Sequence, residues 1–132
     1  MFATAGYAAA KARYNSIDIA TRIEGASPHH LISVLYDELI KTLDTLAVGL
    51  SANGTLSRAG AIERKSRASS ILFGLEGCLD HTQGGELAAG LAAIYREARR
   101  LIDAGVREHD PKWIIQTREM IAEIADAWAK IG

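Results

Sequence analysis

Apolar residues recur at alternating steps of three and four along most of this chain, and no stretch alternates every second residue. After Ser27 the stripe runs through Ile32, Leu35, Leu39, Leu43, Leu46 and Leu50. Between Thr55 and Asp80 it runs through Ala68, Ile71, Leu72, Leu75, Cys78 and Leu79, with Ile62 further up. From Gly85 it continues as Leu87, Leu91, Ile94, Ala98 and Leu101, and after Asp110 as Ile114, Thr117, Ile121, Ile124, Trp128 and Ile131. Each stripe is the seam of an amphipathic helix.

The punctuation agrees with that period. Both prolines follow a short polar residue, in Ser27-Pro28 and Asp110-Pro111. Proline in the first helical position loses no hydrogen bond, and Ser or Asp before it accepts from a free N–H of the first turn. Ser27 and Asp110 are therefore predicted N-caps. Ser51-Ala52-Asn53-Gly54 is expected to end the first helix, Gln83-Gly84-Gly85 the second, and Glu108-His109-Asp110 to separate the third from the fourth. Short connections make successive helices antiparallel neighbours. The predicted fold is all-α: an antiparallel up-down-up-down four-helix bundle over residues 25–132, with helices of about 20 residues and about 30 Å. Residues 1–24, rich in Ala with scattered Tyr7, Tyr14, Ile17, Ile19 and Ile23, read as an N-terminal arm or short extra helix.

Composition narrows the function classes. A chain of 132 residues suits one domain. With 48% hydrophobic and 23% charged residues it can build a core and still face water. A net charge of -1 disfavours nucleic-acid binding by general phosphate attraction, and a polybasic membrane anchor too. The basic runs Arg64-Lys65-Ser66-Arg67 and Arg96 to Arg100 read as solvated helix faces. The single cysteine, Cys78, fits a reducing compartment. The sequence shows no signal-peptide pattern and no apolar run long enough to span a bilayer, so a cytoplasmic location is expected.

Catalytic chemistry finds no foothold. A di-metal bundle needs inward Glu residues and Glu-x-x-His pairs, and the sequence has no Glu-x-x-His. His29, His30, His81 and His109 all fall at predicted helix ends or turns, where solvated first-turn residues outnumber ligands. Cys78 has no basic neighbour in sequence, and Gly84-Gly85 lacks the pattern of a phosphate-binding loop. Asp37, Glu38 and Asp44 fall on the predicted polar face. No enzymatic activity and no cofactor or metal is expected. One signalling alternative is a histidine phosphotransfer bundle with His81 as acceptor, although such domains keep that His inside a continuous helix and Gln83-Gly84-Gly85 is expected to end the helix here.

The helix after Ser27-Pro28 carries a surplus. Leu31, Ile32, Val34, Leu35, Tyr36, Leu39, Ile40, Leu43, Leu46 and Val48 cover well over half its circumference, whereas a bundle helix needs about three positions in seven. Either the helix is central and buried by several neighbours, or part of it forms a groove that accepts a partner segment.

Ala26-Ser27-Pro28 followed by Leu31-Ile32 and Leu35-Tyr36-Asp37, with Tyr14, Ile17 and Ile23 upstream, resembles the signature of the flagellar secretion chaperone family. Gly84-Gly85-Glu86-Leu87-Ala88 with Leu91 and Ile94-Tyr95 is similar to that family's Gly-Gly turn and Leu-Tyr helix, and Trp128 sits where its last helix often carries an aromatic residue. The ordered set covers nearly the whole chain. It departs from the pattern at Glu38, where the family usually has Gly, and in a longer segment between Tyr14 and Ser27.

The resemblance implies a cytosolic export chaperone that binds the disordered C-terminal segment of flagellin, prevents its premature polymerisation and aids its secretion, with components of the flagellar export gate as further partners. The candidate contacts are Leu31, Leu35, Tyr36, Leu39, Leu43, Leu91, Tyr95 and Trp128. Tyr14, Ile17 and Ile23 are candidates for an arm that caps the groove in the free protein. The competing non-signalling reading is a structural helical oligomer whose extra apolar surface is a self-interface.

Overall fold

The computed structural model describes Gly25 and residues 27–131. Residues 1–24, and with them Tyr14, Ile17 and Ile23 of the expected arm, lie outside the described residues. Four helices follow in order: α1 (Pro28–Leu50), α2 (Arg58–Gly77), α3 (His81–Glu108) and α4 (Pro111–Lys130). Each packs on the two beside it in a closed ring, with α1 against both α2 and α4, and α3 against both α2 and α4. The start of α1 meets the end of α4 through His29 and Trp128, while the end of α1 meets the start of α4 through Asp44 and Arg118. Lys65 and Glu76 of α2 reach Asp103 and Arg96 of α3 in reversed order. The bundle is therefore antiparallel and up-down-up-down, as the seams predicted.

The caps explain where the helices begin. Ser27 Oγ accepts from the His30 amide at 3.1 Å, and Asp110 Oδ1 from the Lys112 amide at 2.9 Å. Both predicted N-caps are present, each with proline in the first turn. Two further caps were not predicted. Ser57 Oγ accepts from Gly60, and Asp80 Oδ1 from the amides of Thr82 and Gln83.

The Asp80 cap corrects the expected second boundary. Helix α2 ends at Gly77, and α3 already begins at His81, before the glycine pair. Gly85 then interrupts α3 with φ 51° and ψ −127°, a backbone state closed to residues with a Cβ. The Gly-Gly pair kinks the start of α3 rather than ending α2. At the other end of α3, His109 closes the helix in the left-handed region. Gly105 lets α4 approach: a Cβ there would lie 2.7 Å from Ile114 Cδ1.

The core answers the question raised by α1. Leu31, Ile32, Val34, Leu35, Tyr36, Leu39, Leu43, Leu46 and Leu50 are all buried, and Ile40 is partly buried against the same cluster. Neighbours on both sides and across the bundle consume the surplus, leaving only Val48 among these large residues exposed. Each fully buried aliphatic side chain contributes about 1.5–3 kcal/mol of transfer free energy. In α2 the seam departs from expectation, because Ala61 is buried and its neighbour Ile62 is 43% exposed. Glu38 and Asp44 do leave the core, but they pair with Arg67 of α2 and Arg118 of α4.

The two buried threonines are satisfied locally. Thr42 and Thr117 donate their hydroxyls to the carbonyls of Glu38 and Trp113, four residues back. The Tyr36 and Tyr95 hydroxyls meet at 2.6 Å across the bundle, joining α1 to α3. Burial pushes the Tyr36 phenol up to about 12, despite its hydrogen bond with Tyr95, and raises Tyr95 still further. The Cys78 thiol is pushed up to about 11 by burial.

A raised phenol pKa means that the folded chain holds its proton more tightly than the unfolded chain. The stability this contributes is complete below the ordinary tyrosine value of about 10 and is lost as pH rises through the folded value. The melting temperature is expected to fall as pH climbs from about 10 toward 12, and to fall less steeply in the Tyr36→Phe/Tyr95→Phe double variant. Calorimetric scans across that range check this.

Candidate functional site

Two of the four seams do not stay inside. In α3, Ala98 and Leu101 are buried, Leu91 nearly so, and Leu87 is 63% exposed. In α4, Ile114, Thr117 and Ile121 are buried, Ile124 is half-buried, and Ile131 is 71% exposed. Because α3 and α4 are antiparallel, the start of one and the end of the other lie at the same end of the bundle. There the seams emerge together and enclose a cleft of about 350 Å³ lined by Tyr36, Leu87, Leu91, Glu123, Ile124, Ala127, Trp128 and Ile131. The lining is almost wholly apolar, and Glu123 is its one charged member. Two other hollows differ in kind: one is at the α1–α2 turn around Gly49 and Gly54, and the other lies among Glu38, Lys41, Glu63, Arg64 and Arg67.

Trp128 is the fixed wall of the cleft. Its indole lies on the His29 ring, with centroids 4.5 Å apart and planes 11° from parallel. Its Nε1–H donates to the His29 carbonyl at 3.1 Å, and His29 Nε2–H donates to the Trp128 carbonyl at 3.0 Å. The backbone and side chain of each residue thus hold the other. His29 is placed for this by the Ser27 cap and Pro28, which set the first turn of α1. This reciprocal clasp leaves Trp128 only 9% exposed while keeping it in the cleft wall. Tyr36, whose hydroxyl is paired with that of Tyr95 in the core, also lines the cleft.

Of the residues singled out from sequence, Tyr36, Leu91 and Trp128 come together in this cleft. Leu31, Leu35, Leu39, Leu43 and Tyr95 are packed in the core. Leu87, Glu123, Ile124, Ala127 and Ile131 complete the cleft and were not singled out, although Leu87, Ile124 and Ile131 belong to the predicted seams. Periodicity marks a face but not the point where that face runs past its neighbours. His29 was read as a solvated first-turn residue, and the structure instead places it against Trp128. His30 and His109 are exposed, and His81 is the exposed first residue of α3. Among the described residues no group of His, Cys, Asp and Glu is gathered as a metal site. No described helix is long and apolar enough to cross a membrane.

The clasp contributes a stacked pair and a side-chain hydrogen bond from His29. Removing both in His29→Ala is expected to lower the free energy of urea unfolding by about 1–3 kcal/mol. His29→Phe, which keeps a ring for stacking but no hydrogen bond, should fall between. Circular-dichroism denaturation curves of the three proteins check this.

Comparison with known proteins places the chain. The family model described as flagellar protein FliS matches residues 10–132. The flagellar secretion chaperone FliS of Salmonella typhimurium is 31% identical over 121 residues, covering 90% of this chain and 87% of that protein. The flagellar secretion chaperone FliS of Vibrio cholerae is 28% identical over 120 residues, with 89% and 85% covered. Flagellar secretion chaperone FliSB of Pseudomonas aeruginosa is 27% identical over 124 residues, with 91% and 93% covered. With the family model matching nearly the whole chain and a relative 31% identical over most of its length, the chain belongs to the flagellar protein FliS family.

Proposed function

We propose that this protein is a cytosolic export chaperone that shelters the disordered C-terminal segment of flagellin, and that the cleft between α3 and α4 receives part of that segment. The export role rests on the relatives, which are named flagellar secretion chaperones. The observation that carries the site is the emergence of two apolar seams into one cleft walled by a clasped Trp128. An engineered cavity of about 150 Å³ holds one benzene. A cleft of about 350 Å³ therefore has room for roughly two large apolar side chains of a partner.

The mechanism is burial without covalent chemistry. Helices α3 and α4 offer a groove, and an amphipathic segment presents anchors at helical spacing to it. Each covered apolar side chain contributes at most about 1.5–3 kcal/mol, and ordering a disordered ligand costs several kcal/mol in return. Binding can therefore suppress polymerisation in the cytosol and still be reversed for secretion. Tyr36, Leu91 and Trp128 contact the client from the wall and floor, and Leu87, Ile124 and Ile131 from the rim. Leu31, Leu35, Leu39, Leu43 and Tyr95 support the groove from behind. Delivery to the flagellar export gate belongs to the same reading, as does a capping role for Tyr14, Ile17 and Ile23 in the free protein.

Titration with a peptide of the flagellin C-terminal segment, followed by calorimetry, is expected to show binding that Leu87→Glu or Ile131→Glu weakens at least about tenfold. Both positions are exposed, so helicity and melting temperature should be preserved. A peptide that does not bind the wild-type chain, or binds these variants as tightly, contradicts the assignment. Self-association abolished by the same variants would instead identify a helical oligomer. Deleting residues 1–24 is expected to tighten peptide binding if the arm caps the cleft, and unchanged affinity would remove that role.

A further inference from the structure

A single charged residue, Glu123, stands in the otherwise apolar wall of the cleft. Around the bundle several carboxylates have a cationic neighbour: Asp37 has Lys41, Glu38 has Arg67, Asp44 has Arg118, Glu76 has Arg96 and Arg99, and Asp103 has Lys65 and Arg107. At Glu76 burial pushes the carboxyl pKa up, and the two guanidiniums more than reverse this, holding it below the usual range. Glu123 is set apart by its position. It lines the cleft, and among the described residues no cation lies within ion-pair distance. Glu119 and Asp126, one turn to either side on α4, are exposed and likewise unpaired among the described residues. Like charges three and four positions apart on a helix repel. The cleft therefore joins an apolar floor to the Glu123 carboxylate at its rim, with Lys130 the cation on that face of α4, a turn beyond Asp126.

We propose that the cleft selects an amphipathic segment carrying Lys or Arg beside its apolar anchors, with Glu123 as the residue that receives the cation. This rests on the cleft being the client site and specifies the chemistry of what enters. An anchor seated between Leu87 and Ile124 brings the flank of its helix over Glu123. A cation there relieves the repulsion along α4 while its apolar neighbours fill the cleft. An acidic flank would add like charge at a partly desolvated surface, which penalises the wrong partner more strongly than a matched pair rewards the right one.

The test uses the full chain and two synthetic peptides with one apolar stripe at positions i, i+3, i+4 and i+7, flanked by Lys in one and by Glu in the other. The Lys-flanked peptide is expected to bind at least about tenfold tighter. Glu123→Lys should abolish or invert that preference, Glu123→Gln should reduce it, and high salt should narrow it in the wild type. Glu63→Lys makes the same change of net charge on α2, away from the cleft, and should leave the preference intact. Equal affinity for the two peptides, or a preference that Glu123→Lys leaves unchanged, overturns the proposal. If Leu87→Glu still abolishes binding in that case, the cleft reading survives and only the cation requirement falls. If neither peptide binds while the flagellin C-terminal peptide does, the cation proposal falls and the cleft reading stands; if that peptide fails as well, both fall. A dimer of the free chain, seen by sedimentation and broken by Leu87→Glu, would place a second copy in the cleft and overturn the proposal as well.

Discussion

Burial of α1 on nearly all sides governs what the rest of the molecule can do. Its leucines face α2 on one side and α4 on the other, and Tyr36 reaches across to Tyr95 on α3. A helix held in this way has few large side chains left to offer a partner. Removing one of them into a client's groove would open a cavity in the core, at a cost of several kcal/mol per large aliphatic residue. Sticky surface therefore has to come from helices with one face still free.

Helices α3 and α4 meet that condition because their seams are longer than the core they pack against. Leu87 at one end of α3 and Ile131 at the end of α4 extend beyond the last fully buried layer. The Gly85 kink shapes the entry of α3, and the His29–Trp128 clasp ties the end of α4 back to the start of α1. A helix terminus would ordinarily fray, but here two reciprocal hydrogen bonds and a stacked ring hold it. Rigidity on the chaperone side matters for affinity, since every degree of freedom frozen on binding is a cost. The proposed client is disordered before it binds, so a preformed cleft confines that cost to one partner.

Much of this architecture was legible in the sequence because it depends on local chemistry. Ser27-Pro28 and Asp110-Pro111 announce helix starts through hydrogen bonds that span only three residues, and the seams announce faces through a fixed angular period. Asp80 was less legible, since the conspicuous glycines beside it drew the boundary five residues too late. The surplus on α1 pointed to a groove or to a central position. Only the number of neighbours decides between them, and that number is a property of the assembled bundle. The cleft residues stood in the predicted seams, yet no periodicity tells where a seam outruns its partner. His29 and Trp128 are 99 residues apart, and nothing in their local contexts ties one to the other.

The most direct measurement is methyl-resolved NMR of the full chain titrated with the flagellin C-terminal peptide. The account expects the methyl signals of Leu87, Leu91, Ile124 and Ile131 to shift together, while those of Val48, Ile62 and Ile115, exposed elsewhere on the bundle, stay in place. Shifts confined to Val48, Ile62 and Ile115, with the cleft methyls unmoved, would contradict it.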